Sequence, residues 1–248
     1  MEEREQLDFG FSLDARDCEA VLLRRLTRSG SFRAVKQPIK RLSDRRTSAY
    51  ELLSRSPLSG SAPTSDFLDY CERHNVLTVL DLHCLERCAA AARSLAPELI
   101  RHLNLFPSTL ASVPVERILE TLSPPAPGRF CLELNENFLG AELSGLIAPV
   151  RALRRAGVLV AIDDVGCGRS CLESLLTLEP DLIKIDKGLV TGAARYPGRE
   201  RALKRLIEVA RTLEAGVIAE GIEGEEDLDC LTALGVPYGQ GFLWGRPN

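Results

Sequence analysis

At 248 residues the chain is long enough for one full α/β domain, and its formal net charge of −4 gives it no basic field for gripping a nucleic-acid backbone. A polymeric DNA or RNA partner is therefore not expected. Eight cysteines are scattered through apolar or helical stretches and only three histidines occur, so chemistry must rest on carboxylates, amides and lysine rather than on a disulfide scaffold or a histidine-rich centre.

The amino terminus is densely charged and lacks the apolar core of a secretory signal, and no later apolar run approaches membrane-spanning length. Together these point to a cytoplasmic protein that does not engage a membrane. Residues 12–29 set Val21, Leu22, Leu23 and Leu26 along one side of a helix with Ser12 as its cap, which makes residues 1–30 an N-terminal helical extension. Residues 31–42 and 50–53 read as strands around a polar turn at Asp44. Residues 54–65, rich in Ser, Pro and Gly, predict a loop, and residues 66–93 a helix in two pieces. From there a short apolar strand followed by a helix recurs, with strands predicted over 100–105, 130–134, 158–163, 182–185, 217–219 and 238–242. Three helices are predicted to end at Gly157, Gly216 and Gly235, each glycine taking the left-handed cap before the next strand. This repetition argues for a parallel sheet closed into an α/β barrel over 31–248, one domain rather than two.

Strands buried on both faces should be apolar throughout, but these finish in polar groups: His102-Leu103-Asn104, Leu132-Glu133, Ile162-Asp163-Asp164, Ile183-Lys184 and Ala219-Glu220. In a barrel the carboxyl ends of the strands converge on one face, so Glu51, Asn104, Glu133, Asp163, Asp164, Lys184 and Glu220 would crowd together. Any one of them alone reads as a cap, a turn residue or a surface charge. The coincidence across strands is what points to a site. Five carboxylates in one pocket resist ionisation unless cations neutralise them, and oxygen ligation suits magnesium, manganese or calcium in the arrangement used for in-line phosphoryl displacement.

At these positions the chain resembles the EAL-domain cyclic di-GMP phosphodiesterases, modified TIM (β/α)8 barrels whose first strand runs antiparallel. Gln37-Pro38-Ile39 is similar to the family's Q-P-I segment. Glu51-Leu52-Leu53 stands for the name motif, with Arg55 after it, and Asn104 followed by Leu105-Phe106 fits N-x-S. Leu132-Glu133-Leu134-Asn135-Glu136 resembles L-E-I-T-E, and Asp163-Asp164 begins the D-D-F-G loop. Lys184-Ile185-Asp186, Ala219-Glu220-Gly221-Ile222-Glu223 and Gln240-Gly241-Phe242 complete the series in the family's order. The resemblance implies a metal-dependent hydrolysis of cyclic di-GMP to linear pGpG with two divalent cations, Mg2+ or Mn2+. Glu51, Asn104, Glu133 and Asp163 would hold one cation and Asp163 with Asp164 the second. Lys184 would hydrogen-bond the attacking water or aid its deprotonation, and Glu220 and Gln240 would support the metal and water shell. Gln37, Leu53 and Arg55 would contact the dinucleotide.

The chain also departs from the pattern. Where the family reads D-D-F-G-T-G-Y-S-S, this chain has Asp163-Asp164-Val165-Gly166-Cys167-Gly168-Arg169-Ser170-Cys171, with Cys167 as a small replacement for threonine. That loop implies a homodimer contact and Glu136 as its anchor, and Asn135 replaces the usual Thr beside that anchor. The sequence ends at Pro247-Asn248 where the family continues into a closing helix, a cover that the amino-terminal helix is expected to supply in part if it does not bind a second copy or a protein partner. Two other functions compete. One is a catalytically silent EAL domain acting as a cyclic di-GMP receptor or protein-binding regulator; the other is a barrel glycosidase using two of the carboxylates, which would leave Lys184 and Asn104 unexplained.

Overall fold

The computed structural model describes residues 32–55, 68, 71–73, 75–122, 129–140, 143–166 and 171–248. The extension over residues 1–30, most of the predicted 54–65 loop and Cys167 lie outside the described residues.

Eight short strands close into one barrel in chain order. They are β1 (Arg33–Arg41), β2 (Thr47–Arg55), β3 (Ile100–Asn104), β4 (Phe130–Asn135), β5 (Leu159–Val165), β6 (Leu182–Ile185), β7 (Gly216–Ala219) and β8 (Tyr238–Gly239). β1 runs antiparallel to both β2 and β8, and every other neighbouring pair is parallel. This is the modified barrel expected from the resemblance. β2 runs well beyond the predicted 50–53 at both ends, and β8 is cut short, since the backbone leaves the sheet after Gly239 and turns through a 3-10 segment at Phe242–Trp244. The gap this leaves beside β1 is bridged further along by Asn248, whose backbone exchanges two hydrogen bonds with Lys36 at 2.9 and 3.1 Å.

The helices are α1 (Leu77–Ala92), α2 (Pro107–Ser112), α3 (Val115–Leu122), α4 (Leu143–Arg155), α5 (Cys171–Leu178), α6 (Lys187–Val190), α7 (Pro197–Thr212) and α8 (Glu225–Ala233). The predicted two-piece helix is visible in the described residues: helical Cys71–Arg73 is separated from α1 by Asn75, which is left-handed at φ 55.

Period-two alternation assigns the two faces of each strand. Leu52, Leu103, Leu132, Leu134, Val160, Ile162, Ile183, Ile185, Val217 and Ala219 all belong to the large core that packs strands against helices. Their neighbours face the barrel interior. Its lower layer is apolar, built on Ile39, Ala49 and Ile218 with Ile100, Leu182 and Tyr238 against them. Two residues further along most of the same strands, the interior turns polar.

One predicted cap is corrected. Gly157 (φ 83) and Gly235 (φ 78) are left-handed as expected, and each is followed by a backbone bond closing the helix end, Val158 to Leu153 and Val236 to Leu231, both 3.1 Å. Gly216 instead lies within β7, and Glu214 (φ 57) takes the left-handed position ahead of the equivalent bond from Ala215 to Ala210, 2.9 Å. Glycine at 216 serves packing, because a Cβ there would come within 2.8 Å of the Leu182 side chain.

Candidate active site

Lys184 organises the polar layer. It stands on β6 two residues beyond apolar Leu182, and it is only 1% exposed. Its Nζ lies 2.9 Å from Glu133 Oε2 on β4, 3.0 Å from Asp163 Oδ1 on β5 and 2.8 Å from Glu220 Oε1 after β7, with Glu51 Oε2 of β2 at 3.6 Å. One ammonium reached from four other strands can sit only inside the barrel. These carboxylates hold Lys184 protonated well above the ordinary lysine range, against the opposing effect of burial. In the metal-free site it is therefore placed as a hydrogen-bond donor and a positive charge among these carboxylates.

The carboxylates divide into two sets. Burial, with mutual crowding, raises Asp163 to about 7 and Glu220 to about 8. Glu51 moves the other way: burial would raise it, but Lys184 and the Gln240 and Asn104 amides together hold it below the usual glutamate value. Asn104 Nδ2 donates to Glu51 Oε1 at 3.0 Å, and Gln240 Nε2 donates to Glu51 Oε2 at 2.6 Å and to Gln37 Oε1 at 2.9 Å. Asp163, Asp164 and Glu220 bring one carboxylate oxygen each within 4.8 Å of one another, a spacing that could hold a metal ion. Gln240 Oε1 is buried with no hydrogen-bond partner among the described residues, which leaves it able to accept from water on such an ion. Hard oxygen donors, carboxylates reluctant to ionise and an orphaned acceptor fit divalent cations of the magnesium, manganese or calcium kind.

A cavity of about 340 Å³ opens over this layer, lined in part by Gln37, Glu51, Leu53, Asp163, Asp164, Glu220 and Gln240. The structure thus gathers most of the expected site residues. Glu133 sits deeper, its Oε2 engaged by Lys184 and its Oε1 2.8 Å from His102 Nδ1. Arg55 ends β2 outside the cavity lining, its Nη1 donating to Ser54 O at 3.0 Å. Glu136 accepts from the Gly166 backbone N–H at 3.2 Å, which anchors the first residues after Asp164; residues 167–170, where a dimer contact is expected, lie outside the described residues.

His102 was not singled out from sequence. It is 1% exposed, and burial, then the charge of Lys184, lowers it to about 3, so it is neutral and holds the back of Glu133. Its inward parity with Asn104, two residues on, is the signal that could have found it. Asp186 and Lys187 after β6, and Glu223 and Phe242 beyond β7, also line the cavity. Asp186 shares a face with Lys184 by the same two-residue step.

The EAL domain family model matches residues 20–247. An uncharacterized signaling protein of Caulobacter vibrioides is 30% identical over 216 residues, which cover 85% of this chain and 27% of that protein. Cyclic di-GMP phosphodiesterase RocR of Pseudomonas aeruginosa is 30% identical over 231 residues, covering 88% of this chain and 58% of the relative. Among solved structures, a calcium/cy-diGMP complex of Klebsiella pneumoniae BlrP1 matches with a TM-score of 0.78 at 28% identity, over 88% of this chain and 56% of that one. The chain spans about a quarter of the first of these curated relatives and under two thirds of the second.

Proposed function

The chain belongs to the EAL domain family, and from that membership we propose that it hydrolyses cyclic di-GMP to linear pGpG with two divalent cations, Mg2+ or Mn2+, at the carboxyl end of its barrel. The observation that carries this reading is the buried Lys184 ammonium among Glu133, Asp163 and Glu220, directly beneath a cavity rimmed by Asp164 and Gln37.

Glu51, Asn104, Asp163, Asp164 and Glu220 would hold the cations. Glu133 can join them only by sharing an oxygen with His102 or Lys184, which two lone pairs per oxygen allow. Bound there, the cations supply Lewis-acid charge to a phosphodiester and make a water more acidic. The side chains do the rest. Lys184 would hydrogen-bond the attacking water or aid its deprotonation, and Glu220, held through Oε1 by Lys184 at 2.8 Å, would support the metal and water shell. Gln240 fixes Glu51 and Gln37 in one chain of hydrogen bonds, which couples the metal-binding edge to the dinucleotide-binding edge. Gln37 and Leu53 would contact the ligand from β1 and β2, with Arg55 supplying a charge-assisted fork to phosphate when it reaches in.

A cytoplasmic setting belongs to the same proposal. Among the described residues no helix is long and apolar enough to cross a membrane, and Cys71, Cys84, Cys88, Cys131 and Cys230 are free thiols.

Purified protein incubated with cyclic di-GMP and Mg2+ or Mn2+ is expected to release pGpG, with activity abolished by a chelator and lost by at least about 100-fold in Glu51→Ala. Tight binding of cyclic di-GMP without turnover would replace the enzyme by a receptor, and neither binding nor turnover would remove both.

A further inference from the structure

Asn135 ends β4 opposite Asp163 in the β4–β5 register. Its amide oxygen accepts from the backbone N–H of Asn137 at 2.9 Å and so caps the 3-10 turn Glu136–Phe138. Its amide nitrogen donates to Asp164 Oδ2. The two partners settle the amide's orientation, since a backbone N–H needs an acceptor and a carboxylate needs a donor. The turn that Asn135 caps also carries Glu136, which accepts from Gly166 N. Asp164 is thereby held by its side chain from Asn135, while Gly166, two residues on, is held by its backbone from Glu136.

Asp164 needs such support. It is a non-glycine residue at φ 59, a conformation L side chains rarely adopt, and its backbone N–H turns back onto Asp163 Oδ1 at 3.0 Å. That turn is what allows adjacent aspartates, which would face opposite sides of a regular strand, to offer oxygens to one group with Glu220. Asn135 reaches across to this turn where the resembling L-E-I-T-E pattern has a shorter threonine.

We propose that Asn135 is a positioning residue for the second cation: its amide holds Asp164 in the left-handed turn that brings its carboxylate beside those of Asp163 and Glu220, so the affinity of that cation depends on Asn135. This rests on the two-cation reading of the site. The first cation, which draws on Glu51 and Asn104 and shares Asp163, depends on other hydrogen bonds, those that Asn104 and Gln240 donate to Glu51.

The test is Mn2+ binding to the full chain, followed by calorimetry and by the electron-spin signal of free Mn2+, with melting temperatures alongside. Wild-type protein should bind two ions. Asn135→Ala and Asn135→Leu should weaken one of them by roughly tenfold and leave the other unchanged, and Asn135→Thr, whose hydroxyl can donate, should recover much of the loss. Unchanged affinity at both sites in Asn135→Ala would overturn the inference. So would equal weakening at both sites with a lowered melting temperature, which would mean that Asn135 only supports the fold. If the wild-type chain itself bound fewer than two ions, the two-cation reading would fall first and this inference with it.

Discussion

The two layers of the barrel interior are built by the same strands and obey opposite chemistry. In the lower layer Ile39, Ala49 and Ile218 make contacts that any similar side chain could approximate, and no polar atom has to be satisfied. In the upper layer Glu51, Glu133, Asp163, Lys184 and Glu220 are buried or nearly so, and each depends on a specific partner. Only two residues of strand separate the layers at Ala49 and Glu51, Leu182 and Lys184, or Ile218 and Glu220. A fold that keeps its apolar layer intact beneath can bear an electrostatically costly one above, which is how a rigid scaffold supports a site unfavourable to its own stability.

The contrast is broken most directly by Lys184→Met, which keeps the length of the side chain and removes its charge. Three carboxylate oxygens now within 3.0 Å of the ammonium would lose their shared counter-charge, so metal-free protein should lose about 3–5 kcal/mol at about pH 8. The loss should shrink near pH 5, where the carboxyls protonate. Ile218→Val in the layer below should cost only about 0.5–1.5 kcal/mol and show no dependence on pH. Urea unfolding of both variants at the two pH values checks this, and an equally large, pH-independent loss in Lys184→Met would mean that packing rather than charge sets the cost.

A smaller effect follows from the carboxylates themselves. Asp163 rises from 3.8 to about 7 and Glu220 from 4.5 to about 8. A carboxyl with a raised folded pKa binds its proton more tightly in the native state, so its stabilising share is complete below about pH 4 and is lost as pH climbs to about 8. Metal-free melting temperatures should therefore fall across that window. Cations require the deprotonated carboxylates, so Mg2+ should raise the melting temperature more at about pH 8.5 than at about pH 6. Asp81, buried on α1 and raised to about 7, titrates in the same direction but lies outside the cavity, so the metal-dependent difference isolates the upper layer. An Mg2+ shift equal at the two pH values would argue against cation binding by Asp163 and Glu220.

Much of this was legible in the sequence because it is carried by local pattern. Alternation in Leu132-Glu133-Leu134 or Ile183-Lys184-Ile185 names the helix-facing side at once, and polar residues recurring at strand ends name the site. What stayed hidden depends on distance across the barrel. A histidine between Arg101 and Leu103 reads as core until Glu133 is placed against it. The direction of the Asn135 amide is set by Asn137 and Asp164 together, and no periodicity encodes that. The early end of β8 was likewise invisible, because Tyr238 to Phe242 has strand-like composition while the backbone already leaves the sheet after Gly239.

The helix ends below the lower layer show the same limit at single-residue scale and yield the smallest expected effect. Gly157, Glu214 and Gly235 occupy equivalent left-handed positions, and sequence pointed to Gly216 because glycine is the residue that such a position favours. Helix ends inferred from periodicity are uncertain by one or two residues, which is the displacement seen here. Glu214 is exposed, so its left-handed backbone costs about 1–2 kcal/mol with no buried contact offsetting it, while glycine would add some freedom to the unfolded chain. Glu214→Gly should therefore stabilise the protein by about 0.5–1 kcal/mol, raising the melting temperature by about 1–4 °C. Gly216→Ala should do the opposite, because its new methyl meets Leu182 at the floor of the lower layer. A destabilising Glu214→Gly would argue against the left-handed position at 214, and a neutral Gly216→Ala would remove the packing account of that glycine.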